Sequence, residues 1–295
     1  MDTETEQSAG RRFLNHLLAI EPLREGADFF AGESGSLLCL DLLLNQRVGV
    51  EKATAAALAV HYHFGRPRFE AEAVISDATN WPYLGTALRT PAVLLRSLIE
   101  RHLAGSRGPD VVLLSELPAC VVGALASLER YYNRGNPFFE PLRKIEILPE
   151  IIQAITPACF RQVTGLNFPV ENLSKQLASV ATLLEMKRSG RVPARADLLA
   201  LDRVGEETAD TLLVYLFQQR ALIADDYLRR VLYRHFVTEK EVASRRAIET
   251  AVGSRVQTAD EAHRLHARVN EAGERYCFAR DPNCEACPFR EFTHR

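Results

Sequence analysis

Two groups of residues in this 295-residue sequence have the types and spacing to do chemistry. The first is an acidic pair, Asp225 and Asp226, which follows an apolar segment. An ionised carboxylate can stabilise a developing cation or activate a water molecule, so Asp225 is a candidate catalytic residue. The alternative is that Asp225 only caps the helix predicted over 226–236, because aspartate is a preferred N-cap residue.

The second group is a set of cysteines near the C-terminus. Cys277, Cys284 and Cys287 lie within eleven residues, whereas Cys39, Cys120 and Cys159 are isolated in apolar segments. The isolated cysteines are expected to be small buried hydrophobic residues. In a chain without a secretory signal, the clustered cysteines favour metal or cluster ligation over disulfides.

A third motif could bind an anion. Residues 196–217 are predicted to form a helix, a tight turn through Val204 and Gly205, and a second helix opened by polar residues. Gly205 allows a close backbone approach where a side chain would clash, and the N–H groups that follow it begin a helix. Such a helix start favours an anion such as a phosphate. The small side chain of Thr208 leaves space around the first turn of the second helix.

The elements that position these residues are predicted to be helices throughout. Residues 171–187 repeat apolar side chains with the helical period, as do 206–217 and 226–236, and 36–64 is rich in leucine and alanine. Because strand-like alternation does not persist anywhere, the sequence predicts an all-α protein.

Charge and hydropathy restrict the partners. The net charge of −2 argues against a strongly basic nucleic-acid binder. Five arginines nevertheless lie close together in the sequence: Arg229, Arg230, Arg234, Arg245 and Arg246. They form either a solvated helix face or a local positive field that could attract DNA. No apolar run approaches the about 18 residues needed to span a bilayer. The N-terminal residues lack the features of a signal peptide, so a cytoplasmic location with no membrane contact is expected. The protein is also expected to be a monomer.

Residues 201–209 and 224–230 together resemble the endonuclease III-like helix-hairpin-helix superfamily of DNA glycosylases. That family has Leu-Pro-Gly-Val-Gly-x-x-Thr-Ala in its hairpin, and an essential aspartate at the start of a later helix. The resemblance covers roughly residues 145–290. It implies a two-lobed all-α fold that flips a base out of double-stranded DNA. It places Asp225 at the catalytic position and gives DNA contacts to Val204, Gly205, Glu206, Glu207 and Thr208.

The hairpin departs from the family pattern at three places. Asp202 and Arg203 replace its Pro-Gly, so the turn forms without the first glycine. Glu207 occupies the position of the lysine nucleophile of bifunctional members, and a carboxylate cannot form their Schiff base. Any activity is therefore expected to stop at base removal. Glu206 and Glu207 also place negative charge near the turn, although this charge suits the helix dipole.

The spacing Cys277-x6-Cys284-x2-Cys287 resembles the iron–sulfur loop of the same family. The position of the family's fourth cysteine is Thr293 here, and His294 follows it. Three interpretations remain open: a [4Fe-4S] cluster with an incomplete ligand set, a zinc ion held by the three cysteines and His294, or a loop that holds nothing.

The N-terminal half carries one further candidate. Gln46 matches the family's glutamine that fills the space left by the extruded nucleotide, although a glutamine at a helix end is also commonplace. The 161 residues from Gln46 to Glu207 are more than the family usually has there. The excess at about 66–145 is an extra helical insertion, a recognition surface, or a sign that Gln46 is not the matching residue. The predicted lobes are 35–218, with the hairpin, and 1–34 plus 219–295, with the cysteine loop.

The sequence therefore predicts a monofunctional DNA glycosylase, with alkylated purines such as 3-methyladenine as the leading substrates. Relatives that act on these bases also lack the lysine. Two alternatives are a catalytically inert DNA-binding relative that uses the hairpin as a phosphate clamp, and an interaction module built on the cysteine loop. Duplex binding and base release distinguish the three.

Overall fold

The computed structural model describes residues 3–19, 33–48, 50–65, 119–120, 122–123, 126–127, 140–240 and 242–292. Within these ranges, the side chains of residues 3, 46–48, 50, 51, 140 and 141 lie outside the description. The described residues form helices, turns and loops, and no strand occurs among them. This confirms the predicted all-α class.

Twelve α-helices are numbered here in chain order within the described residues. They are α1 (Thr3–Ala19), α2 (Gly35–Val48), α3 (Val50–Gly65), α4 (Glu140–Lys144), α5 (Pro149–Ala154), α6 (Pro157–Thr164), α7 (Val170–Arg188), α8 (Arg195–Leu199), α9 (Glu206–Tyr215), α10 (Asp226–Arg234), α11 (Arg245–Val252) and α12 (Ala259–Arg275). The predicted helices over 171–187, 206–217 and 226–236 correspond to α7, α9 and α10.

The chain divides into two compact units. The first consists of Met1–Ala31 and Val192–Arg295, and the second of Gly32–Arg191. The hairpin helices α8 and α9 fall in the first unit, because α9 packs against α12. The units therefore divide the chain before the hairpin, at residue 192, whereas the predicted lobes divide it after the hairpin, at residue 219. Much of the predicted insertion at 66–145 lies outside the described residues.

The core of the first unit joins the N-terminal helix to the C-terminal segment. The Phe13 ring of α1 stacks on the His235 ring with 3.8 Å between centroids, and the Phe289 ring meets Phe13 edge-on at 5.3 Å. Helices α10 and α12 approach closely at Gly273, where an added Cβ would lie 2.2 Å from Tyr227 Cδ1. A larger residue at 273 would push the two helices apart.

The second unit is built on the antiparallel neighbours α2 and α3, with α7 packed against α2. Helix α7 buries a stripe of apolar residues at helical spacing, which includes Leu173, Leu177 and Leu184. A buried polar pair ties α2 to α3, with 2.8 Å between Ser36 Oγ and His61 Nε2. Complete burial lowers the pKa of His61 to about 4.

Candidate active site

The hairpin turn lies at residues 200–205, between α8 and α9. Val204 is buried and its N–H donates to the Leu201 carbonyl at 3.3 Å. Gly205 is the N-cap of α9 and has no side chain that could accept a hydrogen bond. The first N–H groups of α9, from Glu206 onwards, therefore have no side-chain cap. An added Cβ at Gly205 would meet nothing within 4 Å. The protein itself therefore has room for a side chain there, and the open space leaves the helix start accessible to an approaching anion.

Arg203 takes the left-handed backbone conformation within this turn. Its φ is +65°, in the left-handed region that favours glycine. A non-glycine residue in this region costs of order 1 kcal/mol or more, and the surrounding turn must hold it there. Arg203 thus takes part in the turn at an energetic cost that a glycine would avoid.

Asp225 takes the helix-cap role considered from the sequence, and its catalytic role stays a prediction. It is the N-cap of α10, and its Oδ1 accepts the Leu228 N–H at 2.6 Å. Its other oxygen, Oδ2, lies 3.5 Å from Nε2 of His266. The residue is only 6% exposed. Asp225 is therefore a helix cap whose second oxygen faces an imidazole from another helix.

His266 connects Asp225 to the hairpin helix. It lies on the buried face of α12, and its Nδ1 is 2.8 Å from the hydroxyl oxygen of Tyr215, the last residue of α9. Asn270, one turn later in α12, places its Nδ2 3.2 Å from the same Nε2. Three helices thus meet at one polar cluster, hereafter the Asp225 cluster, which consists of Tyr215, Asp225, His266 and Asn270.

Glu207 lies in the first turn of α9 and is electrostatically coupled to this cluster. Partial desolvation raises the pKa of its carboxyl, and the negative charge of Asp225 raises it further, while His266 lowers it. The start of the hairpin helix and the start of α10 therefore present two carboxylates that influence each other. Glu206 is exposed, and Thr208 is partly buried.

A buried ion cluster holds the hairpin helices in place. Asp210 of α9 is 1% exposed, and each of its carboxylate oxygens accepts hydrogen bonds from two guanidinium groups. Arg195 of α8 approaches through Nε at 2.7 Å and Arg245 of α11 through Nε at 2.9 Å. Together they link α8, α9 and α11. The Asp210 side chain raises the pKa of the Arg195 guanidinium by accepting its hydrogen bonds.

Most of the arginine cluster seen in the sequence is engaged within the protein. Arg229 donates to the Ala243 carbonyl at 2.6 Å, Arg230 is buried and donates to the Cys277 carbonyl at 2.6 Å, and Arg234 donates to the Phe278 carbonyl at 2.7 Å. Arg245 binds Asp210, whereas Arg246 is exposed. The cluster is therefore neither a uniformly solvated face nor a free basic patch.

The three C-terminal cysteines line one small cavity. Cys277 is buried, and Arg234 Nη1 lies 3.2 Å from its Sγ. Cys284 and Cys287 border the same cavity as free thiols, and burial raises the pKa of Cys287. Among the described residues, however, no group of three or more histidine, cysteine, aspartate or glutamate side chains has the arrangement of a metal site.

Two predicted site residues lie outside the description. His294 falls in the last three residues, which are not described, and Gln46 lies in α2 with its side chain outside the description. The structure brings Glu207 and Asp225 into one neighbourhood. It adds Tyr215, His266 and Asp210, which sequence reasoning did not single out. The sequence gives little indication of them, because two entire helices, α10 and α11, lie between Asp225 and His266 along the chain.

No helix in the described part of the chain is both long enough and apolar enough to cross a membrane. No family model matches the chain. A protein of Methanocaldococcus jannaschii named "Putative DNA repair glycosylase" is 28% identical over 185 residues, which cover 58% of this chain and 83% of that protein.

Proposed function

We propose that this chain is a monofunctional DNA glycosylase that removes a damaged base after flipping it out of double-stranded DNA. The observation that carries the proposal is the buried carboxylate of Asp225, which lies at the start of α10 and is coupled to the first turn of the hairpin helix. The similarity to a protein named as a DNA repair glycosylase supports the same reaction class.

The hairpin is proposed to bind the DNA backbone. The start of α9 has no side-chain cap, and the space beside Gly205 is open. N–H groups at a helix start bind phosphate well, because the helix dipole adds to their hydrogen bonds. Such contacts hold the duplex in register without reading its sequence. The acidic side chains of Glu206 and Glu207 limit the affinity of this site for an anion.

The proposed chemistry is hydrolysis of the N-glycosidic bond. As the bond between the base and the deoxyribose breaks, its electron pair leaves with the base and positive charge develops on the sugar. Asp225 stabilises that charge or accepts a proton from the attacking water. Glu207 occupies the position of the lysine in bifunctional relatives and cannot form a Schiff base. The reaction therefore ends at the abasic site.

Alkylated purines such as 3-methyladenine are the proposed substrates. Alkylation at a ring nitrogen gives the base a positive charge, so the base leaves the sugar without first being protonated. Such a leaving group needs stabilisation of the positive charge on the sugar, and carboxylates can supply it. Desolvation and the negative charge of Asp225 raise the pKa of Glu207, the second carboxyl at this site.

A panel of duplexes, each with one modified base, tests the function directly. Base release is measured for the wild type, for Asp225→Asn, and for Asp226→Asn as the matched control, because Asp226 is the exposed neighbour in the same helical turn. We expect release from at least one alkylated duplex, loss of release in Asp225→Asn, and retention in Asp226→Asn. Release that survives Asp225→Asn would refute the proposed role.

The helix-cap geometry of Asp225 favours a second candidate, a catalytically inert DNA-binding relative. The bond from Leu228 N–H to Oδ1 gives the aspartate a structural reason to be present without any chemistry. Such a protein binds duplex DNA but releases no base from any member of the panel. Duplex affinity measured together with base release separates the two candidates.

The cysteine loop is proposed to hold a [4Fe-4S] cluster or a zinc ion. Three thiols around one cavity are a donor set of the kind that either group uses, and the Arg234 guanidinium lies beside Cys277 Sγ. Cys277, Cys284 and Cys287 would be the ligands, with His294 as the proposed fourth. An iron–sulfur cluster or zinc ion at this place would stabilise the C-terminal loop.

A further inference from the structure

His266 is buried at the junction of three helices and has no part in the chemistry described so far. It is 8% exposed, and it lies between Tyr215 of α9 and Asp225 at the start of α10. Its two ring nitrogens face different partners, with Nδ1 at 2.8 Å from the tyrosine hydroxyl and Nε2 at 3.5 Å from Oδ2 of Asp225. The imidazole therefore bridges the hairpin helix and the candidate catalytic carboxylate.

The partners determine where the imidazole carries its proton. A carboxylate only accepts hydrogen bonds, so Nε2 must carry a proton for a favourable contact with Asp225. The Tyr215 hydroxyl can donate to a bare Nδ1, which leaves the proton on Nε2. A doubly protonated ring also has an N–H at Nε2, and the tyrosine oxygen then accepts from Nδ1. In both states, Nε2–H faces Asp225.

Asn270 is consistent with this assignment once its amide is reversed. With Nδ2 facing Nε2, two donors would oppose each other, and Oδ1 is buried with no hydrogen-bond partner among the described residues. The amide nitrogen and oxygen of asparagine are assigned from their partners, so a half-turn about the last bond is allowed. Oδ1 can then accept from Nε2–H, and this one proton faces both Oδ1 of Asn270 and Oδ2 of Asp225.

We propose that His266, oriented by Tyr215, is a positioning residue that fixes the carboxylate of Asp225 for base removal; this inference rests on the proposed function. Leu228 N–H donates to Oδ1 and the imidazole nitrogen lies 3.5 Å from Oδ2, so the two carboxylate oxygens face partners on different helices. A catalytic group needs this kind of support, because small errors in its position lower the rate.

Three variants test the proposal by separating the rate of base release from the affinity for duplex DNA. His266→Leu removes the Nε2–H, Tyr215→Phe removes only the hydroxyl that orients the ring, and His266→Gln keeps an N–H donor at the position of Nε2. The matched control is His263→Gln, because the His263 ring also packs on Tyr215, 4.6 Å between centroids, but from an earlier position in α12. Each protein is assayed for single-turnover base release, duplex affinity and melting temperature.

We expect His266→Leu to lower the single-turnover rate about 10- to 100-fold, with duplex affinity unchanged within about twofold. Tyr215→Phe should lower the rate by a smaller factor, His266→Gln should restore part of it, and His263→Gln should match the wild type. An unchanged rate in His266→Leu would overturn the proposal. Equal losses in rate and affinity, without rescue by glutamine, would also overturn it, since they indicate a structural role alone.

A measurement that needs no activity keeps this inference separate from the proposed function. The ring nitrogens of the full chain are labelled with ¹⁵N, and the His266 signals are assigned by their loss in His266→Gln. We expect the Nε2 signal to show a bound proton and to shift in Asp225→Asn. Absence of base release by the wild type on every duplex would refute the proposed function. An Nε2 without a proton, or one insensitive to Asp225→Asn, would refute the positioning contact whatever the activity.

Discussion

Replacing Asp210 by asparagine is expected to weaken the hairpin more than any exposed substitution in the first unit. The asparagine keeps the size of the side chain but removes its charge, and its NH₂ group would face guanidinium donors. Arg195 and Arg245 would then lose the carboxylate that binds both of them. Helices α8, α9 and α11 would no longer share an ionic link.

The expected loss follows from the burial of the three partners. Breaking a fully buried ion pair costs about 3–5 kcal/mol, whereas an exposed pair contributes about 0–1 kcal/mol. Asp210 is almost fully buried, but the Arg195 and Arg245 side chains are 27% and 30% exposed, so water partly replaces the lost partner. We therefore expect the free energy of unfolding to fall by about 2–3 kcal/mol.

Urea unfolding followed by circular dichroism measures this change. Asp260→Asn is the matched control, because it removes the acidic partner of Arg264 from a pair that is 42% and 72% exposed. The control should lose less than about 1 kcal/mol. We also expect Asp210→Asn to bind duplex DNA more weakly, since the start of α9 loses its support. Equal losses in the two variants would refute the buried-ion reasoning.

Three further predictions concern acid stability, product chemistry and the cysteine loop. Burial lowers the pKa of His61 to about 4 in the folded protein, whereas the imidazole in the unfolded chain has its ordinary pKa near 6.5. The unfolded chain therefore binds a proton first, and the free energy of unfolding falls as the pH drops from about 6.5 to about 4. The loss should reach about 3 kcal/mol and be smaller in His61→Gln, measured by urea unfolding at each pH. Because Glu207 stands in the place of the lysine, DNA strands should break at the abasic sites only after alkali treatment. Borohydride should trap no covalent protein–DNA adduct, and a trapped adduct would contradict the monofunctional reaction. Protein purified without oxygen should be brown if a [4Fe-4S] cluster is bound. It should be colourless and contain stoichiometric zinc if zinc is bound instead. Folded protein without metal would show that the loop holds neither.

The sequence predicts the helices well and the side-chain partners poorly. The stripe of Leu173, Leu177 and Leu184 predicts α7 because the helical period alone brings these residues onto one face. The turn at Val204 and Gly205 is also local, and it follows from the glycine and the polar residues after it. Arg203 was less predictable, because a non-glycine residue at a φ of +65° depends on the packing around it.

The polar cluster around Asp225 could not be derived in the same way. His266 lies in a helix whose histidines, arginines and glutamates all have suitable chemistry, and only packing selects the one that faces Asp225. Arg245 similarly belongs to a basic stretch whose members have different partners in the structure. Pairings between distant helices depend on how the helices pack, which the local pattern of one sequence does not contain.

The two roles of Asp225 and the role of the hairpin can be separated by variants that fail in different ways. Asparagine caps helices about as well as aspartate, so Asp225→Asn should keep the stability of the wild type, whereas Asp225→Ala should lose about 0.5–2 kcal/mol. Both should lose base release, because both lack the charge. Gly205→Val should remain folded, because its φ of −84° and ψ of 177° suit valine and its Cβ meets nothing within 4 Å.

The valine side chain would instead cover the open start of α9. Duplex affinity should then fall for all sequences alike, and the dependence of affinity on salt should become shallower, because a backbone contact is lost. Melting curves, base release and duplex titrations at several salt concentrations measure the three properties on the same proteins. If Asp225→Asn is inactive only because it unfolds, the aspartate is a structural cap. If Gly205→Val binds duplex as tightly as the wild type, the phosphate contact lies elsewhere.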